Sequence, residues 1–278
     1  KVDNDRVIVQ FIRWADLVRK SGYSLLNSSS RIKEIVEKTE YVGALTDSGA
    51  MFGIVDYYKQ MTQAKKKPII GFECFTESID REKSAYPLVL LAMNETGFKN
   101  LIQLSSKSYE YYFEKPQVSY DMLRNYSKGI LAISSGAEAE IQSLLRRNEF
   151  AKGEKVANTL DEIFGHGYFY LGIERHGYIG EEPLNQHLLA LGNELDIKLV
   201  ATVNSRYTNV GDEDAQEILL CLRDGTTLDD QNRTILPGDG YHIHSADEIE
   251  ALFADIPEVI DNTLEVAEKC NFQLQLGK

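Results

Sequence analysis

A short stretch near the start of the chain, YVGALTDSGAMFG at residues 41–53, joins a strand pattern directly to a helix pattern. The apolar run at residues 42–45 ends abruptly at a polar loop, residues 46–49. Apolar residues then recur from Ile54 to Met61 at the i, i+3, i+4 and i+7 positions of an amphipathic helix. The stretch is therefore predicted to be the first half of a βαβ unit, in which the loop after the strand commonly carries functional side chains.

The same alternation of strand and helix patterns continues along the chain. The first strand is predicted at residues 7–11, and the run LVLLA at residues 88–92 is typical of a parallel strand buried on both faces. About seven such strand–helix units favour a parallel α/β fold, and a closed or nearly closed barrel over an open sheet. Because no linker or repeat interrupts the pattern, residues 1–278 are predicted to form one domain.

A helix late in the chain shows the clearest apolar stripe. Gly225 is placed to end this helix. The stripe consists of Ala215, Ile218, Leu219 and Leu222.

Composition excludes several classes of protein. The 278 residues are 43% hydrophobic and 26% charged, with a net charge of −13, so a strong grip on a nucleic-acid backbone is not expected. No apolar run approaches the ~20 residues of a membrane span. Three widely spaced cysteines suit a reducing, cytoplasmic compartment. The start at Lys1 and the end just after a helical pattern indicate a fragment of a longer protein.

Two carboxylates stand at the ends of predicted strands. Asp47 follows the strand at residues 42–45, and Glu73 ends the run KPIIGFE at residues 67–73. In a barrel, both carboxylates would lie at the same end, where the loops after the strands form the mouth, which makes them candidates for a functional site. The alternative is that such acids cap helices or pair with lysines, and the sequence alone favours that structural role.

Histidines offer weaker candidates for a metal site. His242 and His244 have a known metal-ligand spacing, but a partly exposed edge strand is the more ordinary interpretation of that segment. His176 also follows a predicted strand, in the sequence ERH. No C-x-x-C pair, P-loop or G-x-S-x-G motif is present.

Several long, ordered segments carry a family resemblance. They are YSLL at residues 23–26, ALTDSGAMFG at 44–53, KPIIGFE at 67–73, LVLLAMNETGFKNLIQLSSKSY at 88–109, LLCLRDGTTLDDQNR at 219–233 and NTLEVAEKCNF at 262–272. From residue 23 to residue 275 the chain resembles the PHP (polymerase and histidinol phosphatase) domain at the N-terminus of the bacterial replicative DNA polymerase III alpha subunit, a C-family polymerase.

The resemblance implies a PHP fold, which is a distorted (βα)7 TIM-like barrel whose mouth can hold up to three metals. In active members these metals direct water at a phosphoester, and in some alpha subunits they support a 3′–5′ proofreading exonuclease. In other members the cluster is lost, and the domain braces the polymerase and docks a separate proofreading exonuclease subunit. The catalytic residues of the parent DNA-directed DNA polymerase, a nucleotidyltransferase, would lie beyond residue 278.

The resemblance also assigns nine metal-liganding positions to this chain. Glu73 keeps a metal-binding side chain, and Asp16 is a possible second remnant. Arg206 would place a fixed positive charge where a dication should sit, so it is predicted to pair with Glu73 or Asp47 instead. The nine positions are Asp16, Val18, Asn27, Ser48, Glu73, Pro87, Gly136, Asn204 and Arg206.

These substitutions predict a domain with no catalytic residue, no metal and no other cofactor. Its predicted role is structural, as a docking domain for the proofreading exonuclease subunit and the rest of the alpha subunit in DNA replication. The alternative is an active metal-dependent phosphoesterase or 3′–5′ exonuclease that uses Mn, Zn or Mg, with ligands such as His176 or the pair His242 and His244. A free-standing phosphatase of the histidinol-phosphate type suits the fold but not the LDDQNR segment.

Overall fold

The structure is a computed structural model that describes residues 12–80 and 84–277. The strand predicted at residues 7–11 lies outside the described residues. The strands are β1 (Val42–Leu45), β2 (Lys67–Thr76), β3 (Tyr86–Ala92), β4 (Tyr112–Phe113), β5 (Lys115–Val118), β6 (Ile130–Ser134), β7 (Phe169–Ile173) and β8 (Leu199–Ala201). The helices are α1 (Ile32–Lys38), α2 (Ile54–Gln63), α3 (Glu95–Ser108), α4 (Tyr120–Tyr126), α5 (Glu140–Arg146), α6 (Phe150–Phe164), α7 (Glu181–Leu195), α8 (Glu213–Asp224), α9 (Ala246–Leu252) and α10 (Glu258–Lys269).

The sheet is mixed, because β3 runs antiparallel to both of its neighbours and β4 runs antiparallel to β5. β1 and β2 pair in parallel, and so do β6, β7 and β8, but β3 is antiparallel to both β2 and β6. The prediction of a parallel strand at residues 88–92 was therefore wrong. The link between β2 and β3, residues 77–85, is shorter than the dozen or so residues that a parallel crossover needs. The apolar run signals burial on both faces, which the structure shows, but not strand direction.

An extended segment, residues 16–20, closes the curled sheet into a barrel. On one side it bonds to β1 and the loop after it, where the amide of Ala44 donates to the carbonyl of Asp16 over 2.8 Å. On the other side it bonds to the residues after β8, where the amide of Lys20 donates to the carbonyl of Ser205 over 3.0 Å. The ring then runs from this closing segment through β1, β2, β3, β6, β7 and β8 back to it, which confirms the predicted distorted α/β barrel.

Three clusters of buried apolar residues lie on the two faces of this ring: an inner core, a large outer core beneath the helices, and a smaller outer cluster beneath α1 and α2. Along β3, Val89 and Leu91 belong to the inner core, whereas Leu88 and Leu90 belong to the outer core beneath the helices. This alternation follows from the two-residue period of a strand. Val18 of the closing segment belongs to the inner core, so the closing segment completes the packing of the barrel as well as its hydrogen bonding.

The predicted helix at residues 213–224 forms, and Gly225 ends it in a left-handed conformation as expected. Its apolar stripe does not face the core, however. Ile218 and Leu222 are 46% and 64% exposed, and Gln216, Leu220 and Cys221 form the buried side of the helix. Within the described parts of the chain, no helix has both the length and the apolar character that crossing a membrane requires.

The closing segment is held from outside the barrel by the buried guanidinium of Arg19. Its Nε donates to the carbonyl of Ala44 over 3.0 Å, and its Nη atoms donate to Thr39 Oγ1 over 2.7 Å and to Tyr57 OH over 2.9 Å. Gly43 leaves the room for this guanidinium, because a Cβ at that position would lie 2.0 Å from Arg19 Nη2.

Substituting Gly43→Ala should therefore destabilise the protein. The added methyl group must displace a guanidinium that has three hydrogen-bond partners, and overpacking of this kind costs about 1–3 kcal/mol. Urea unfolding followed by circular dichroism measures the loss. Gly22→Ala is the matched control, because its Cβ would meet nothing closer than 3.7 Å. Equal losses in the two variants would contradict this account of Gly43.

Candidate functional site: the barrel mouth

A cavity of about 650 Å³ opens at one end of the barrel, and we call it the mouth. Its wall comes from the loops that follow several strands and from the segment after the closing segment. Seven of the nine positions assigned by resemblance line it, namely Asn27, Ser48, Glu73, Pro87, Gly136, Asn204 and Arg206. These seven positions therefore share one cavity.

The two remaining positions lie elsewhere. Val18 is buried in the inner core of the barrel. Asp16 is buried beside Arg19, with 3.6 Å between its Oδ2 and Arg19 Nε, and it accepts a hydrogen bond from Ser205 Oγ over 3.3 Å. Burial raises the pKa of Asp16 to about 6, against the opposing effects of Arg19, the amide of Val18 and Ser205.

The sequence analysis missed the residue that occupies the centre of the site, Lys20. Its Nζ lies 2.7 Å from Glu73 Oε1 and donates to Asn204 Oδ1 over 2.8 Å. The other oxygen of Glu73, Oε2, accepts a hydrogen bond from Ser48 Oγ over 2.7 Å. Strand alternation from Val18 could have found Lys20, since residues i and i+2 of an extended segment share one side.

Local backbone geometry places the side chains of Glu73 and Asn204 within hydrogen-bonding distance of Lys20. Glu73 lies within β2, and its amide donates to the carbonyl of Asp47 over 3.0 Å, which continues the parallel pairing of β1 and β2 into the mouth. Asn204 adopts a left-handed conformation, with φ of 53°, which asparagine tolerates better than most residues. Its side-chain oxygen thereby reaches Lys20.

The electrostatics of the mouth favour a charged Glu73. Burial alone would raise the pKa of Glu73, but the ammonium of Lys20, the guanidinium of Arg206 and the hydrogen bonds from Lys20 and Ser48 together lower it. Burial lowers the pKa of Lys20, and the charge of Arg206 adds to this effect, whereas Glu73 opposes it. The pair is therefore an ion pair in which each partner offsets part of the cost of burying the other.

Arg206 does not form the predicted pair with Glu73 or Asp47. Among the described residues, no carboxylate oxygen lies within 4 Å of its guanidinium, and its buried Nε has no hydrogen-bond partner. Lys20 already neutralises Glu73. Asp47 is fully engaged by the amide of Ser21 and by the hydroxyl groups of Ser21 and Ser24. Burial raises the pKa of Asp47 despite these bonds.

The histidine candidates lie outside the cavity wall. His176 is buried and stacks on Tyr241 at 3.8 Å, while its Nδ1 donates to the carbonyl of Asp239 over 2.8 Å. Its Nε2 lies 3.4 Å from Oε2 of Glu174, which does line the mouth. Burial lowers the pKa of His176, but Glu174 and the other hydrogen bonds outweigh that effect and raise it.

His242 and His244 stack on each other at 4.0 Å in an irregular segment, not in the predicted edge strand. His242 Nε2 lies 3.2 Å from Glu248, and His244 Nδ1 donates to the carbonyl of His242. Across residues 12–80 and 84–277, no three His, Cys, Asp or Glu side chains come together in an arrangement that could hold a metal ion.

Comparison with known proteins identifies relatives of this site and fold. The family model of the PHP domain matches residues 16–176. The DNA polymerase III subunit alpha of Borreliella burgdorferi is 35% identical over 272 residues, and that of Helicobacter pylori strain 26695 is 34% identical over 274 residues. These matches cover 93% and 91% of this chain but 24% and 22% of the relatives, so the chain spans about a quarter of their length.

A solved structure from Bifidobacterium adolescentis, provisionally assigned as a metal-dependent phosphoesterase, aligns with a TM-score of 0.46. The alignment has 10% sequence identity and covers 86% of this chain and 95% of that one.

The buried pair of Lys20 and Glu73 should show strong energetic coupling. Lys20→Met and Glu73→Gln are each expected to cost about 3–5 kcal/mol, because each leaves its partner buried without a counter-charge. The double variant should cost less than the sum of the two single variants by about 1–3 kcal/mol. Urea unfolding of the four proteins completes the cycle.

Lys198→Met is the control, because it removes an exposed partner of Glu265 and should cost at most about 1 kcal/mol. Strict additivity would refute the coupling.

Asp16 should make stability depend on pH in the acid range. Because folding raises its pKa from 3.8 to about 6, the folded state binds this proton more tightly, and the resulting stability is complete below pH 4 and is lost as pH rises through 6. The stability of the native chain relative to Asp16→Asn should thus fall by about 2 kcal/mol between pH 4 and pH 7. Urea unfolding of both proteins across that range measures the difference, and a constant difference would contradict the raised pKa.

Proposed function

The chain belongs to the PHP domain family, and on that premise we propose that residues 1–278 are the PHP domain of a DNA polymerase III alpha subunit. The parent protein would be a DNA-directed DNA polymerase, a nucleotidyltransferase of chromosomal replication. The proposal is supported by alpha subunits that are about one-third identical over more than nine-tenths of this chain. Within that polymerase, the domain would act as a structural and docking element and not as a phosphoesterase.

The observation that carries the structural role is the ammonium of Lys20 between Glu73 and Asn204. PHP members that act on phosphoesters need a cluster of cations held by carboxylates and imidazoles. Here the one carboxylate among the seven mouth positions has both oxygens engaged, one by Lys20 and the other by Ser48. The residues present therefore do not fit a Mn, Zn or Mg cluster.

Charge repulsion leads to the same conclusion. A divalent cation beside Glu73 would lie within a few ångströms of the ammonium of Lys20 and close to the guanidinium of Arg206. Two like charges 4 Å apart repel by about 4 kcal/mol per unit charge at the effective dielectric of a protein surface. A bound metal would neutralise Glu73 and fix its orientation. Here the ammonium of Lys20 neutralises Glu73, and the hydrogen bonds from Lys20 and Ser48 fix its orientation.

The proposed partners follow from the domain's place in the polymerase. They are the remainder of the alpha subunit and the proofreading exonuclease subunit. Direct strong DNA binding by this domain is not expected, because the net charge of −13 opposes association with a phosphate backbone. The buried, free thiols of Cys74, Cys221 and Cys270 support a cytoplasmic location.

Metal binding and nuclease activity test this proposal together. The purified chain, dialysed against Mn²⁺ and then against metal-free buffer, should retain no stoichiometric metal by elemental analysis. It should release no nucleotides from a labelled primer–template in Mn²⁺, Zn²⁺ or Mg²⁺. Glu73→Gln is the control, since any trace activity that survives this substitution belongs to a contaminant. Stoichiometric Mn²⁺ together with nucleotide release that Glu73→Gln abolishes would establish the phosphoesterase alternative instead.

A further inference from the structure

Five large apolar or aromatic side chains are exposed around the mouth, and we call them the rim. Leu25 and Phe52 are 75% and 69% exposed, and Tyr112, Ile235 and Tyr109 are 65%, 51% and 51% exposed. All five line the one cavity and thus surround its opening. Exposed apolar side chains gathered around a concave surface mark an interaction site more reliably than isolated ones do.

Inside this rim lies a cation that forms no ion pair with any of the described residues. The guanidinium of Arg206 lines the mouth, its Nε is buried without a hydrogen-bond partner, and no carboxylate oxygen of the described residues lies within 4 Å of it. By contrast, Lys20 is neutralised by Glu73, and Arg223, also in the cavity wall, pairs with Asp224. An arginine held in this way can form strong, charge-assisted bonds to an incoming carboxylate.

Hydrogen bonds to both its amide and its carbonyl hold the backbone of Arg206 at the cavity wall. Its amide donates to the carbonyl of Tyr241 over 2.7 Å, and its carbonyl accepts from the hydroxyl of Ser28 over 2.7 Å and from the amide of Ser29 over 3.0 Å. Binding a ligand there would require little reorganisation of the chain, which favours affinity.

We propose that the mouth is a socket for a polypeptide segment with apolar side chains and one carboxylate. The apolar side chains contact the rim formed by Leu25, Phe52, Tyr109, Tyr112 and Ile235, and the carboxylate binds Arg206. This inference rests on the proposed docking role and deepens it, because it names the chemistry that a docked partner presents.

A nucleic-acid strand fits this surface less well. Such a strand brings one phosphate charge per nucleotide, whereas among the described residues the mouth has only two cations outside ion pairs, Arg206 and Lys115. Its wall also contains the carboxylates Glu114, Glu138 and Glu174. A second copy of this chain is disfavoured as well, since each copy has a net charge of −13.

Three small probes distinguish these occupants on the chain itself. The first is the tripeptide N-acetyl-Leu-Phe-Leu with a free C-terminal carboxylate, the second is the same tripeptide as its C-terminal amide, and the third is a thymidine tetranucleotide. Methyl resonances of Leu25 and Ile235, observed by NMR, report binding at the rim. The carboxylate tripeptide should shift them with a Kd on the order of 1 mM and bind at least about fivefold more tightly than the amide.

Two sets of variants locate the contacts. Arg206→Gln should remove the difference between the carboxylate and the amide, and Leu25→Ser with Phe52→Ser should weaken both forms without affecting folding, because both side chains are mostly exposed. Ile179→Ser is the control, since Ile179 is a fully exposed apolar residue that does not line the mouth. Its tripeptide binding should equal that of the native chain.

Several results would overturn the socket. They are equal affinity for acid and amide, no methyl shift up to about 10 mM tripeptide, a preference for the tetranucleotide, and an equal loss of binding in Ile179→Ser. Failure of the socket is distinguishable from failure of the structural role. Stoichiometric Mn²⁺ and Glu73-dependent nuclease activity would refute the structural role whatever the tripeptide does, whereas a metal-free chain that ignores the tripeptide refutes only the socket.

Discussion

The contact between Lys20 and Glu73 links the closure of the barrel to the chemistry of its mouth. Lys20 is the last residue of the closing segment, and Glu73 lies on β2, so their ion pair spans the mouth between two separate elements of the ring. Both side chains are buried, and each would be costly without the other. The closing segment therefore depends on one electrostatic contact inside the barrel and on the hydrogen bonds of Arg19 outside it.

Much of this arrangement was accessible from the sequence. Apolar runs located most of the described strands, and the polar residues after them, together with the family resemblance, identified seven residues that line a single cavity. Strand direction was not accessible in the same way, since β3 is buried on both faces whether its neighbours are parallel or antiparallel. Only the length of the link before β3 contained that information.

The centre of the site was harder to predict because it depends on tertiary pairing. In the sequence, Lys20 looks like an ordinary surface lysine. Its position in the mouth beside Glu73 depends on the pairing of the closing segment with the residues that follow β8. The partner of Arg206 was mistaken for the same reason, since the expected pairing assumed that no nearer cation would reach Glu73. Similarly, the stripe on α8 showed where the helix is apolar but not which side faces the core.

The presence of Lys20 also changes how the mouth is stabilised. A site that uses metal ions to hold its loops together depends on the concentration of free metal and can be dismantled by a chelator. The ammonium of the buried Lys20 side chain is covalently attached, so it is present in every folded molecule and needs no ligand. Lys20 and Ser48 together satisfy both oxygens of Glu73, so among the described residues the guanidinium of Arg206 has no carboxylate oxygen within 4 Å and its charge still faces the cavity.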